Sequence, residues 1–132
     1  MKKPLTLKKN IEFRRVYQKG KSTANRNLVL YYLPNTLKES RNGITVSKKV
    51  GKSVVRNLVK RRIRESLMEV EPLLPEGYDM VWIARASCNE ADYKTIKSAV
   101  KHLVKNTFKE QQKNTGKNAD NKKNDKKGSK MK

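Results

Sequence analysis

The run Lys48-Lys49-Val50-Gly51-Lys52-Ser53-Val54-Val55-Arg56-Asn57-Leu58-Val59-Lys60-Arg61-Arg62-Ile63-Arg64-Glu65 gathers cations at a spacing that a helix turns into a surface. At about 100° per residue, Val55, Val59, Ile63, Leu67 and Val70 share an apolar sector suited to packing on a sheet. Asn57, Arg61 and Arg64 fall on the opposite side, with Lys60 and Arg62 on its flanks. Arg56 falls near the apolar border, in a first turn where it can project past a sheet edge. Like charges at i, i+4, such as Arg56–Lys60 and Lys60–Arg64, disfavour an isolated helix, and Glu65 offsets part of this from within reach of Arg61 and Arg62. Ser53 is the expected N-cap. Lys52 and Arg56 crowd the positive end of the helix dipole, at a cost of about 0.3–1 kcal/mol each if exposed. A docked phosphate would reverse that cost, because free backbone N–H groups and cations converge there. Gly51 permits close backbone approach just ahead of the helix.

Nothing comparable exists for bond-breaking chemistry. His102 is the only histidine and sits beside Lys101, which favours a surface role. Glu65 and Glu69 are four apart, but Arg61 and Arg62 account for Glu65 as an ion-pair partner rather than a metal ligand. No His/Cys cluster, Gly-rich phosphate loop or nucleophile–base pair is present, so no catalytic and no metal-ligating residue is assigned. Trp82 lies in an apolar strand and is expected in the core.

The elements that must position the basic helix belong to a chain of 132 residues, enough for one domain with one modest core. Lys and Arg number 33 against 12 Asp and Glu, a formal net charge of +21 with a pI near 10.3. Self-repulsion of that size opposes folding and calls for a polyanionic partner, of which nucleic acid is foremost because each neutralised phosphate releases condensed counterions. Cys88, the single cysteine, allows no internal disulfide and suits a reducing compartment. No apolar run approaches the roughly 20 residues that span a bilayer. Met1 to Lys9 lacks the apolar stretch of a signal peptide. The chain is expected to be cytoplasmic, with no membrane partner.

Residues 1–110 read as one α+β domain. Asn10 is expected to cap a short helix bearing Phe13, Val16 and Tyr17 at i, i+3 and i+4, ended by Gly20. Lys21 to Asn25 reads as a brief strand and Leu28 to Leu33 as a clear one, before a loop at Pro34-Asn35. Gly43 to Ser47 alternates, placing Ile44 and Val46 opposite Thr45 and Ser47. The basic helix runs from about Ser53 to Glu71, stopped by Pro72 and Pro75. Tyr78 to Ala84 is apolar enough to be central in a sheet. A last helix, capped near Asn89, aligns Tyr93, Ile96, Val100, Leu103, Val104 and Phe108. This order indicates an α+β sandwich. Residues 111–132 hold eight Lys against two Asp, which leaves +15 of the +21 on residues 1–110. With Ala119 and Met131 as its only apolar side chains, that tail is expected to be disordered.

Arg56-Asn57-x-x-Lys60-Arg61-x-x-Arg64, after Lys48-Lys49-Val50-Gly51 and a strand ending Val46-Ser47, resembles the RNR motif of the bacterial ribonuclease P protein family. Phe13-Arg14-Arg15-Val16-Tyr17 before Gly20, Ala24-Asn25-Arg26 and Ile83-Ala84-Arg85 agree with it in collinear order, over roughly residues 5–108. The resemblance implies an αβββαβα fold with a left-handed βαβ crossover, unlike the usual right-handed connection. It implies a non-catalytic subunit of a ribonucleoprotein that removes the 5′ leader of precursor tRNA. The RNA subunit, with its Mg2+ ions, performs the hydrolysis, and the protein itself binds no cofactor. Arg56, Asn57, Lys60, Arg61 and Arg64 match the residues that contact the RNA subunit. Phe13, Tyr17, Tyr31, Thr45, Ser47, Lys48 and Lys49 match the cleft that holds the leader. Leu58 stands where the motif usually has a second Arg, and Lys52 where Asn is common. The implied partners are the catalytic RNA and precursor tRNA; dimerisation of the holoenzyme is compatible with this but not called for. The cleft also follows from residue types, since single-stranded RNA is held by aromatic faces and cations, and Tyr31, Thr45 and Ser47 can share one sheet face. The other reading of the same charge and fold class is a ribosomal-type or general RNA-binding protein.

Overall fold

The computed structural model describes residues 5–7 and 9–108. Its elements are β1 (Leu5–Thr6), α1 (Asn10–Lys19), β2 (Lys21–Ala24), β3 (Leu28–Pro34), β4 (Arg41–Thr45), α2 (Ser53–Glu69), β5 (Tyr78–Ala84) and α3 (Tyr93–Thr107). Apart from the two-residue β1, too short to leave a periodic signal, this is the expected αβββαβα order. The sheet runs β1-β4-β5-β3-β2. β3 pairs antiparallel with both β2 and β5, whereas β4 lies parallel to β5 and reaches it through α2. β5 is therefore central, as its apolar sequence requires.

Strand alternation splits the core in two. Leu28, Leu30, Met80, Trp82 and Ala84 face α2 and α3, whose Val59, Ile63, Leu67, Ile96, Val100, Leu103 and Val104 are all buried against them. The indole N–H of Trp82, fully buried, donates to Asn42 Oδ1 at 3.0 Å, which satisfies its one polar group. The opposite face carries a small cluster of Leu7, Val16 and Val81, with Phe13, Tyr31, Leu33 and Ile83 partly covered around it. Only Val16 of α1 is fully buried, so α1 covers its sheet face sparsely and leaves aromatic surface beside it.

Several boundaries differ from the expected ones by a residue or two, each for a local reason. Lys9 rather than Asn10 occupies the cap position of α1, and Glu12 Oε1 accepts from its N–H at 3.2 Å. β4 spans Arg41–Thr45 rather than 43–47, because Ser47 leaves the sheet to cap a 3-10 turn over Lys48–Val50, its Oγ accepting from Lys49 N at 3.3 Å. Ser53 is the first residue of α2, not its cap; Lys52 holds that place without a side-chain hydrogen bond. α2 ends at Glu69, before a 3-10 turn over Glu71–Leu73 that takes Pro72 near its start. Asp92, not Asn89, caps α3 by accepting from Thr95 N at 2.9 Å. Asn89 instead donates to Val50 O at 2.9 Å, tying the segment after β5 to the turn before α2. The tail, residues 111–132, lies outside the described residues.

Candidate nucleic-acid interface

Two surfaces meet at the end of the sheet where β4 stops. The first is the trough between α1 and the sheet. Gly43 sets its depth: a Cβ there would lie 2.5 Å from Phe13 Cζ, so only glycine lets the Phe13 ring settle on β4. Phe13 is consequently half-buried and forms the floor. One turn on, Tyr17 is 38% exposed and meets Tyr31 edge to face, with ring centroids 5.1 Å apart and planes at 84°. Its hydroxyl lies 3.4 Å from Thr45 Oγ1. Tyr17, Tyr31 and Thr45 are thus brought together as expected. Ser47 is placed differently, since its oxygen is engaged by the turn that presents the exposed Lys48 and Lys49 at the mouth.

The second surface begins at that turn. Gly51, at φ 149°, adopts a backbone conformation that side-chain-bearing residues rarely reach, and it swings the chain into α2. Arg56 Nε donates to Gly51 O at 3.1 Å, which folds its guanidinium back over the helix start. Asn57, Arg61 and Arg64 are exposed, and Lys60 is partly so, as the helical wheel requires. Arg62 is withdrawn from this surface, since its Nη1 donates to Ala91 O at 2.8 Å and braces α2 against the segment before α3. Leu58 and Val54, 37% and 77% exposed, break the basic face with an apolar pair.

Acidic groups do little to neutralise these surfaces. Asp79 and Glu12 pair with Arg41, Glu69 pairs with Lys97, and Glu65 lies 3.8 Å from Arg61 with both groups exposed. An exposed i, i+4 pair of that kind contributes about 0.3–0.5 kcal/mol, so Arg61 can readily exchange it for a phosphate. Lys48, Lys49, Lys52, Lys60 and Arg64 have no acidic partner among the described residues. No group of three or more His, Cys, Asp or Glu side chains that could hold a metal gathers among them either. No helix there is long and apolar enough to cross a membrane.

A family model described as Ribonuclease P matches residues 1–108. The chain belongs to the bacterial ribonuclease P protein family. It is 51% identical over 102 residues to the ribonuclease P protein component of Caldanaerobacter subterraneus subsp. tengcongensis, covering 76% of this chain and 88% of that one. The component from Clostridium botulinum strain Langeland is 54% identical over 95 residues, 71% of this chain and 86% of that one. Among solved structures, the Staphylococcus aureus RNase P protein superimposes with a TM-score of 0.73 at 37% identity, over 80% of this chain and 97% of its own. The Thermotoga maritima protein gives 0.71 at 30% identity, over 76% and 96%. Membership in this family sets aside the ribosomal-type reading.

One network in this ribonuclease P protein was invisible in the sequence. Asp79 of β5 is fully buried and receives Arg41 through two bonds, Nε to Oδ1 at 2.9 Å and Nη2 to Oδ2 at 2.8 Å. Asn35 Nδ2 donates to Oδ1 at 2.9 Å, and Arg15 of α1 approaches Oδ2 at 3.7 Å. Arg41 Nη1 also donates to Glu12 Oε2 at 3.0 Å. Burial opposes the charge on Asp79, but the bonds from Arg41 and Asn35 and the charges of Arg41 and Arg15 outweigh it, holding the carboxyl below the usual carboxylate range. The bond to Asp79 chiefly raises Arg41 in turn. Because α1 buries so little apolar surface, this ionic seam fixes its angle over the sheet and so the width of the trough.

Proposed function

We propose that the chain is the protein subunit of ribonuclease P, acting in the cytoplasm on precursor tRNA. In this reading Arg56, Asn57, Lys60, Arg61 and Arg64 bind the catalytic RNA. Phe13, Tyr17, Tyr31, Thr45, Ser47, Lys48 and Lys49 receive the single-stranded 5′ leader. Phosphodiester hydrolysis and its Mg2+ belong to the RNA subunit, and no step is assigned to a protein side chain. The observation that carries this reading is the continuity of the two surfaces through residues 45–56. An aromatic trough opens at Lys48 and Lys49 directly onto an α2 face whose cations, apart from the exposed Arg61–Glu65 pair, lack acidic partners among the described residues. A strand lying in the trough would stack bases on Tyr17 and Tyr31 while its phosphates meet the lysines at the mouth. Holding the leader beside the RNA-binding helix aligns the substrate with an RNA active site that the protein does not itself enter.

The experiment is a salt titration. Arg61→Ala with Arg64→Ala removes two exposed cations without touching the core, so folding should be preserved. Affinity for the RNA subunit should fall, and the log–log salt slope should shrink by roughly 1.4–1.8, depending on whether the contacted RNA is single- or double-stranded. An unchanged slope in a folded variant would place the RNA on another face.

A further inference from the structure

A shallow dish of about 670 Å³ lies between the β2–β3 turn and α3, lined by residues that include Arg26, Asn27, Lys94, Ser98 and His102. It is separate from both surfaces above. α3 packs on the sheet face opposite α1, toward β2 and β3, whereas α2 packs toward β4. The dish is built around Asn25. Its Oδ1 accepts from Asn27 N at 3.2 Å and Leu28 N at 3.0 Å, which orients its amide and holds the turn. Its Nδ2 therefore points at α3, donating to Ala99 O at 3.0 Å and reaching His102 Nδ1 at 3.3 Å. Since that amide end can only donate, Nδ1 accepts and the ring proton sits on Nε2. Nε2 in turn lies 2.9 Å from Asn106 Nδ2; with the ring proton on Nε2, that amide pairs with the ring once it is turned over so that its Oδ1 accepts.

Both ring nitrogens of His102 are thus engaged at the edge of an exposed side chain, and what the ring offers a ligand is its face. Exposed Arg26 and Lys94 flank it, and no carboxylate lines the dish. A fixed aromatic face beside two cations is the combination that takes one unstacked base with its phosphate. A metal or an acid–base role would instead need a free ring nitrogen. We infer that this dish is a second RNA contact, with one nucleotide stacked on His102 and its phosphate held between Arg26 and Lys94. The inference rests on reading the chain as an RNA-binding subunit. The nucleotide can belong to the RNA subunit or to the body of the precursor tRNA.

The test uses the full chain in two arms: binding to the RNA subunit, and binding of the reconstituted enzyme to precursor tRNA. His102→Ala should weaken one arm by roughly 5- to 150-fold, the range of one lost base stack. His102→Phe should restore most of that loss, because it keeps a ring and drops both nitrogens. Arg26→Ala with Lys94→Ala should flatten the salt slope of the same arm by roughly 1.4–1.8. The arm that responds names the source of the nucleotide. If His102→Phe is as weak as His102→Ala, the stacking role is wrong and the proposal falls. If neither arm responds while Arg61→Ala with Arg64→Ala still weakens subunit binding, the dish is idle surface and the proposed function stands without it.

Discussion

Replacing Asp79 by Asn should lower the stability of the protein by about 3–5 kcal/mol, the effect of removing one partner from a buried ion pair. The carboxylate accepts from Arg41 through both oxygens and from Asn35 through one. An amide of the same shape must turn its NH2 toward one of these donors, so a donor faces a donor and the Arg41 charge loses its counter-ion. Against a total of about 5–15 kcal/mol for a domain, that loss leaves the fold marginal. The pH dependence follows from the direction of the shift. The folded carboxyl titrates below its unfolded value of about 3.9, so its contribution is complete above that value. It is lost as pH falls through the lower, folded value. Urea denaturation at neutral pH should therefore show the full difference between Asp79→Asn and the parent. The difference should narrow only as pH drops below about 4, where the carboxyl of the unfolded parent begins to protonate ahead of the folded one. A variant as stable as the parent at neutral pH would mean that Arg41 and Glu12 hold the seam without Asp79.

Replacing Tyr17 and Tyr31 together by Ala should weaken binding of leader-bearing precursor tRNA to the reconstituted enzyme by about 1–3 kcal/mol for each base that stacks. Mature tRNA should bind as before, since it places nothing in the trough. The protein's affinity for the RNA subunit should also survive, because α2 packs on the opposite face of the sheet. Tyr31 touches the small cluster under α1, so the double variant should lose some stability as well. Tyr17→Ala alone separates the two effects: Tyr17 is not in that cluster, and its loss should cost leader affinity with little change in melting temperature. Equal weakening of precursor and mature tRNA would show that the tyrosines act through the fold rather than on the leader.

What could be read from the sequence follows from how local each signal is. The orientation of α2 was legible because one 3.6-residue period sorts Val59, Ile63 and Leu67 inward and Asn57, Arg61 and Arg64 outward. The trough face was legible because strand alternation puts Tyr31 and Thr45 together and sends Ile44 away from them. The caps at Lys9 and Lys52 were misplaced by one residue because backbone angles decide them, and neither residue type favours that position. Ser47 was assigned to the strand because alternation persists past the point where its hydroxyl turns to Lys49 N. The seam was not legible at all: Arg41 and Asp79 are 38 residues apart, and nothing in either strand marks the pairing. The same holds for Asn25 and His102, separated by 77 residues and joined only when α3 docks beside the β2–β3 turn. Such links depend on the assembled topology, which resemblance to a family carries and periodicity does not.

The most direct measurement is reconstitution at low magnesium, with the cognate ribonuclease P RNA, precursor tRNA and the purified full-length chain. The RNA alone should be nearly inactive and the protein alone should cleave nothing. The two together should release the leader and leave the mature 5′ end. Cleavage by the protein alone that survives nuclease-free purification would contradict the account. So would a folded protein that binds the RNA yet restores no cleavage.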